Sequence, residues 1–191
     1  MELKGKRVLF LGSSVTYGAA SGGVSFAEVT AELCGFECVK EAVSGTTLAD
    51  INETSYISRL KRNVDKNSHF DLFVCQLSTN DAGKVDDLSL TEKAIRDIIE
   101  YVNENFGCPI AFYSSAYFPT KNPYQKLVDM MWRLQKEYNF AVLDLWNDPD
   151  MKVEVVGKAE YDRFMKDPCH PTLAGYTEWW APKFVEFFEN L

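Results

Sequence analysis

What most restricts the fold of this 191-residue chain is a regular exchange between two hydrophobic periods. Compact apolar runs of strand length fall at Arg7 to Leu11, Phe70 to Leu77, Pro109 to Ser114 and Phe140 to Leu145, with a weaker one at Glu37 to Ala42. Nearly uninterrupted apolar character suits strands that are covered on both faces, as in a parallel sheet. Between the runs, Ser25 to Leu33, Ile57 to Val64, Thr91 to Phe106 and Pro123 to Tyr138 place apolar residues three and four apart, the spacing of one-sided helices. This alternation predicts a layered α/β fold with right-handed crossovers around a central, mostly parallel five-stranded sheet. Its length and 46% apolar content suit a single domain over residues 1–191.

In open sheets of this kind, ligands bind beyond the carboxyl ends of the strands, where successive connections diverge to opposite faces. The loops expected there are rich in small polar residues. Ser13 and Ser14 follow the first strand, Ser44-Gly45-Thr46-Thr47 the second and Ser78-Thr79-Asn80-Asp81 the third, while Ser115-Ala116-Tyr117-Phe118-Pro119 completes the rim after the fourth. Near the other end, Asp167-Pro168-Cys169-His170-Pro171 leads into a helix expected from about Thr172.

A serine hydroxyl becomes a good nucleophile only when a base removes its proton, and a neutral imidazole needs a carboxylate to fix its tautomer. Asp167 and His170 are three residues apart, so one turn can bring the carboxylate to one ring nitrogen while the other faces Ser14. Duller readings stand beside this one. Ser13 and Ser14 could be turn residues capping the next helix, His170 a loop histidine bonded to a carbonyl, and Asn80 and Asp81 loop braces. Asp144 competes with Asp167, but the shorter sequence distance to His170 favours Asp167. The other histidine, His69, is expected on the surface, and a thiol mechanism at Cys169 is disfavoured because adjacent side chains diverge.

Composition narrows the partners. A formal charge of −8 and a pI near 4.8 disfavour nucleic acid and anionic membranes, which need clustered Lys and Arg. The nearest basic run, Arg59-Leu60-Lys61-Arg62, reads as a solvated helix face. Five cysteines form no CxxC pair and imply a reduced, cytoplasmic setting, and the scarcity of histidine argues against a metal site. Val8 to Leu11 is too short for a secretory signal core and runs directly into the Ser13-Ser14 turn. Trp179, Trp180, Phe184, Phe187 and Phe188 are expected against the sheet, with some free to make a homo-oligomer contact.

Taken in order, these loops resemble the four sequence blocks of the SGNH (GDSL-type) hydrolases, a family of esterases, lipases, thioesterases and carbohydrate deacetylases. Gly12, Ser13, Ser14, Thr16 and Gly18 match the first block, Gly45 the second, Ser78-Thr79-Asn80-Asp81 the third, and Asp167 with His170 the last. The resemblance implies a flavodoxin-like three-layer α/β/α sandwich. It also implies catalysis by Ser14, Asp167 and His170, an oxyanion hole from the Ser14 and Gly45 amides and the Asn80 side chain, and no cofactor or metal. Asp81 then braces its loop. Two positions depart from the pattern: Ser13 stands where the family has Asp, and Ser78 where it has Gly. The first alters the loop's hydrogen bonding, because a hydroxyl accepts fewer and weaker bonds than a carboxylate.

The expected substrate is a small-molecule ester, an O-acetylated carbohydrate first and a simple ester or thioester second. Tyr17 and Tyr117, with Phe118 and Trp146, could form an aromatic rim for it. Two other readings remain open at this point: a flavodoxin-like protein whose Ser13, Ser14 and Thr16 cradle a flavin phosphate, and a catalytically silent binding relative.

Overall fold

A computed structural model describes residues 1–117 and 123–191. Five parallel strands form one sheet in the order β2-β1-β3-β4-β5. They are β1 (Arg7–Gly12), β2 (Glu37–Ala42), β3 (Leu72–Gln76), β4 (Ile110–Tyr113) and β5 (Ala141–Leu143). Register is continuous across the centre, where Leu9 of β1 lies beside Val39 of β2 and Phe73 of β3. The helices are α1 (Ser14–Tyr17), α2 (Phe26–Cys34), α3 (Tyr56–Asn63), α4 (Asp81–Lys84), α5 (Leu88–Asn105), α6 (Tyr124–Tyr138), α7 (Val153–Val156), α8 (Lys158–Phe164) and α9 (Ala181–Glu189). A π-helical stretch, Gly175–Trp180, runs directly into α9.

Alternate strand residues point to opposite faces, which divides the core in two. Leu9, Leu11, Phe73, Cys75 and Phe112 meet α3, α5 and α6 through Ile57, Leu60, Ile95, Ile98, Leu127 and Met131. On the other face, Val8, Phe10, Leu72, Val74 and Tyr113 meet α2 and the C-terminal helix through Phe26, Trp180, Phe184 and Phe188. The result is the expected three-layer α/β/α sandwich. The expected aromatic packing of the last helix is present, with Trp180 and Phe184 fully buried and Phe187 at the margin. Phe26 stacks on Phe184 with ring centroids 3.9 Å apart. Local chemistry agrees with this packing: Ser25 and Glu28 form a capping box at the start of α2, and Gly35 closes it in the left-handed conformation.

Two expectations from the sequence need correction here. Arg59 does not belong to a solvated face: it is only 1% exposed, because Tyr56, Arg59 and Leu60 share the inward side of α3. Lys61 and Arg62 do face solvent. The segment 149–164, which carried no expected element, forms a 3₁₀ turn at Pro149–Met151 followed by α7 and α8.

Strand order places the divergence point between β1 and β3, since the chain leaves β1 toward β2 on one side and reaches β4 from β3 on the other. The carboxyl ends of these two central strands carry Gly12-Ser13-Ser14 and Leu77-Ser78-Thr79-Asn80. No helix among the described residues is long and apolar enough to cross a membrane.

Candidate active site

Ser14 opens α1 directly after β1, and Ser13, Ser14, Val15 and Thr16 are all buried. Close packing requires glycine before them: a Cβ at Gly12 would sit 1.7 Å from Thr16 Oγ1 and 2.8 Å from Gln76 Oε1. Ser14 Oγ lies 2.8 Å from His170 Nε2. The other ring nitrogen, Nδ1, is 2.9 and 3.0 Å from the two Asp167 carboxylate oxygens. Asp167 Oδ1 also accepts the backbone N–H groups of Cys169 at 2.8 Å and His170 at 2.9 Å, which folds the segment into a tight local turn. Burial opposes ionisation of Asp167, but these N–H groups and the imidazole outweigh it and hold the carboxyl below its ordinary range.

The Asp167–Pro171 turn is itself tied down. Lys166 N–H donates to His170 O, Met165 pairs with Pro171 in an isolated bridge, and Thr172 bonds back to the end of α8. Asp144, the competing carboxylate, is occupied elsewhere, by Ser114 Oγ, Trp132 Nε1 and Asn147. His69 is solvent-exposed, as expected.

Opposite Ser14 lies the loop after β2. Gly45 adopts φ +80°, a conformation that any side chain would strain. Neither the Ser14 nor the Gly45 backbone N–H has a hydrogen-bond acceptor among the described residues. Asn80 Nδ2 donates to Thr46 O at 2.9 Å, which uses one of its two amide hydrogens. Asp81 is fully buried and braces the same region: its oxygens accept Leu48 N–H, Ala49 N–H and Thr91 Oγ1 at 2.7–2.9 Å. Burial nevertheless pushes the Asp81 carboxyl above its ordinary value.

These segments surround one cavity of about 520 Å³, lined by Ser14, Ala19, Ser44, Gly45, Thr79, Asn80, Cys169 and His170. A second hollow of about 450 Å³ adjoins it on the far side of His170, against Ala19, Ala20, Gly22, Lys166 and Asp167. The aromatic rim expected from Tyr17 and Tyr117 lines neither hollow. Tyr17, 45% exposed, turns its ring beneath Lys40 Nζ, and Tyr117 packs on Trp146 with centroids 4.9 Å apart. Phe118 and Pro119 lie outside the described residues. Cys169 lines the cavity, but burial pushes its thiol up and favours the protonated, poorly nucleophilic form. No cluster of His, Cys, Asp and Glu among the described residues could hold a metal ion.

The model of the GDSL-like lipase/acylhydrolase family matches residues 10–177, from within β1 to the π-helical stretch. The chain belongs to that family. With membership in the GDSL-like family comes its class, the carboxylic ester hydrolases. No curated protein sequence matches the chain. Among solved structures, a protein from Lactobacillus plantarum superposes with a TM-score of 0.77 at 18% identity, covering 98% of each chain. A member of the lipolytic G-D-S-L family from Veillonella parvula gives 0.73 at 17% identity, over 97% of this chain and 99% of that one. A family two carbohydrate esterase from Clostridium thermocellum, solved with cellohexaose, gives 0.72 at 14% identity, over 100% of this chain and 65% of that one. At such identities the neighbours share the fold. GDSL membership removes the flavin-cradle reading, which left Gly45, Asn80 and the Asp167–His170 pair without a role.

Two residues that bear on the site escaped sequence reading. Gln76, at the end of β3, accepts hydrogen bonds from Ser13 N–H and Thr16 Oγ1, both at 2.8 Å, and Arg59 reaches Gly12 O at 2.8 Å. A signal existed for each: Gln76 is the one uncharged polar residue closing an otherwise apolar strand, and Arg59 falls on the apolar side of α3.

Proposed function

We propose that this GDSL-like hydrolase cleaves short-acyl carboxylic esters through an acyl-Ser14 intermediate, with an O-acetylated carbohydrate as the leading substrate class. The supporting observation is the continuous contact from Ser14 Oγ to His170 Nε2, 2.8 Å, and from His170 Nδ1 to Asp167, 2.9 Å. In this reading, His170 Nε2 takes the hydroxyl proton as Ser14 Oγ bonds to the carbonyl carbon. The tetrahedral oxyanion is met by the Ser14 and Gly45 N–H groups and the free amide hydrogen of Asn80. Collapse breaks the ester C–O bond, and the alcohol leaves with the proton from His170. Water then repeats the sequence, losing a proton to His170 and releasing the acid and free Ser14. Asp167 keeps the hydrogen on Nδ1 and stabilises the imidazolium.

The acyl preference rests on the cavity wall. Small residues, Ala19, Ser44, Gly45 and Thr79, make up half of its lining, which suits a short acyl group. The likeness to a carbohydrate esterase solved with cellohexaose supports a sugar on the alcohol side. Hydrolysis of p-nitrophenyl acetate and butyrate and acetate release from acetylated xylo-oligosaccharides test this reading with the native protein, Ser14→Ala and Ser13→Ala. Activity absent only from folded Ser14→Ala, with acetate preferred over butyrate, supports it. Background rates from all three folded proteins would instead favour a silent binding relative.

A further inference from the structure

The peptide between Gly12 and Ser13, immediately ahead of Ser14, is gripped at both of its polar ends by buried side chains from different elements. Its carbonyl oxygen accepts Arg59 Nη2 at 2.8 Å, and its N–H donates to Gln76 Oε1 at 2.8 Å. We propose that Arg59 and Gln76 are positioning residues that fix the rotation of this peptide and thereby aim Ser14. The inference rests on Ser14 being the nucleophile.

Gln76 has only one orientation that serves. A backbone N–H facing its side chain at 2.8 Å tolerates the amide oxygen and not the amide nitrogen, so Oε1 must point at Ser13. That oxygen also accepts Thr16 Oγ1 at 2.8 Å and Ser13 Oγ at 3.2 Å, and Thr16 is in turn held by Tyr113 OH at 2.6 Å. The consequence is visible on the other side of the amide: Gln76 Nε2 is buried with no hydrogen-bond partner. Packing alone would favour an apolar residue of the same shape, which leaves no orphan donor. A glutamine whose oxygen accepts four donors, Tyr56 OH at 3.5 Å being the longest, and whose nitrogen is unpaired is placed there for its oxygen.

Arg59 extends the grip to the other half of the site. Its Nη1 pairs with Glu41 at 2.6 Å, which balances the buried charge, and its Nε donates to Thr54 O at 2.9 Å. Nη2 reaches both Gly12 O and, at 3.2 Å, Thr46 Oγ1. Thr46 O is the acceptor for Asn80 Nδ2. One guanidinium therefore links the nucleophile peptide to the Gly45–Thr46 turn, and a fixed planar fork does so with less freedom than an ammonium would. With serine at position 13, whose hydroxyl is itself a donor to Gln76, the anchoring oxygen for the loop comes from β3.

Neither side chain lines the cavity, so loss of the grip should appear in kcat and not in KM. The experiment measures p-nitrophenyl acetate kinetics and thermal melting for the native protein, Gln76→Met, Gln76→Glu, Arg59→Lys and the double variant Arg59→Lys/Gln76→Met. Because displacement of about 1 Å at a reacting atom costs on the order of a hundredfold, Gln76→Met should lower kcat by about ten- to a hundredfold, with KM within about threefold of native. Gln76→Glu keeps an acceptor oxygen and should recover to within about fivefold of native. Arg59→Lys keeps the charge opposite Glu41 but loses the fork, and should cost about tenfold. The double variant should lose less than the product of the two, because both single changes free the same peptide.

Native kcat in folded Gln76→Met or in Arg59→Lys would overturn the proposal, as would a Gln76→Glu no better than Gln76→Met or strictly additive losses. If Gln76→Met does not fold, Gln76→Glu and Arg59→Lys still decide. The native rate separately tests the esterase reading. Should the native protein show no turnover, crystal structures of native and Gln76→Glu or Gln76→Met decide instead: a peptide turned only in the methionine variant supports the grip, and an unchanged one refutes it.

Discussion

The two partners of the 2.8 Å Ser14–His170 contact are held in opposite ways. Ser14 sits in buried backbone, and besides the local bonds from Tyr17 N–H to Ser13 O and Gly18 N–H to Ser14 O its turn is held from far along the chain, by Gln76, Arg59 and, through Val15 O at 2.6 Å, Tyr176. His170 sits on a more open loop, its side chain 27% and that of Asp167 47% exposed, and Asp167 bonds mainly to the two residues that follow it closely. The nucleophile is therefore a product of the whole fold, while the acid–base pair is a nearly self-contained turn presented to it. A change on the first side should disturb stability and chemistry together. On the second side, chemistry should fail in a protein that remains stable.

The largest effects fall on the contact itself. Ser14→Ala and His170→Ala should each remove about six orders of magnitude of kcat, and combining them should cost little more, because the pair acts as a unit. Asp167→Asn should follow, with a loss on the order of ten-thousandfold and a melting temperature close to native, since its bonds are local and partly exposed. A large drop in melting temperature there would end the contrast between the two sides. Asn80→Ala should lower kcat by about a hundredfold, whereas a loss under about threefold would remove it from the oxyanion hole.

On the core side, Tyr176→Phe deletes one buried hydrogen bond and should cost about 1 kcal/mol of stability in urea titration, with a smaller effect on kcat than Asp167→Asn. The smallest effect is a sign. Asp167 has a folded carboxyl that ionises more readily than the ordinary value of 3.8, so it contributes stability above about pH 4 that drains away as the pH falls through its lowered folded value. Asp81 is the reverse: its raised value means that ionisation weakens the fold at neutral pH, and acidification relieves this. Urea titrations of native protein, Asp167→Asn and Asp81→Asn between pH 3 and pH 7 should separate the two slopes; matching slopes in all three would contradict the assignment.

Legibility followed the same division. The Asp167–His170 pair is readable because its geometry is local: three residues of spacing suffice to set it. The β1, β2 and β3 loops are readable because strand order and the divergence rule bring them to one edge whatever the side chains do. Arg59 was expected on a solvated face and Gln76 carried no expected role, because what they do depends on partners 47 and 63 residues away and periodicity carries no such information. Tyr17 and Tyr117 line neither of the two hollows beside His170, for a related reason. An aromatic in a rim loop satisfies its ring with whatever packs nearby, here Lys40 and Trp146, and sequence position alone does not say which. The helices between 149 and 164 were missed because they are short and mostly exposed, with Phe164 the one buried residue in α8 and none in α7.

The account stands most directly on which hydroxyl carries the chemistry, since Ser13 adjoins Ser14 in the chain and Ser44 lines the same cavity as Ser14. Treating the native protein with phenylmethylsulfonyl fluoride and mapping the adduct by mass spectrometry answers this. A single adduct on Ser14, lost in His170→Ala, is the predicted result. An adduct on Ser13 or Ser44, or sustained ester turnover by protein that takes no adduct on Ser14, would contradict it.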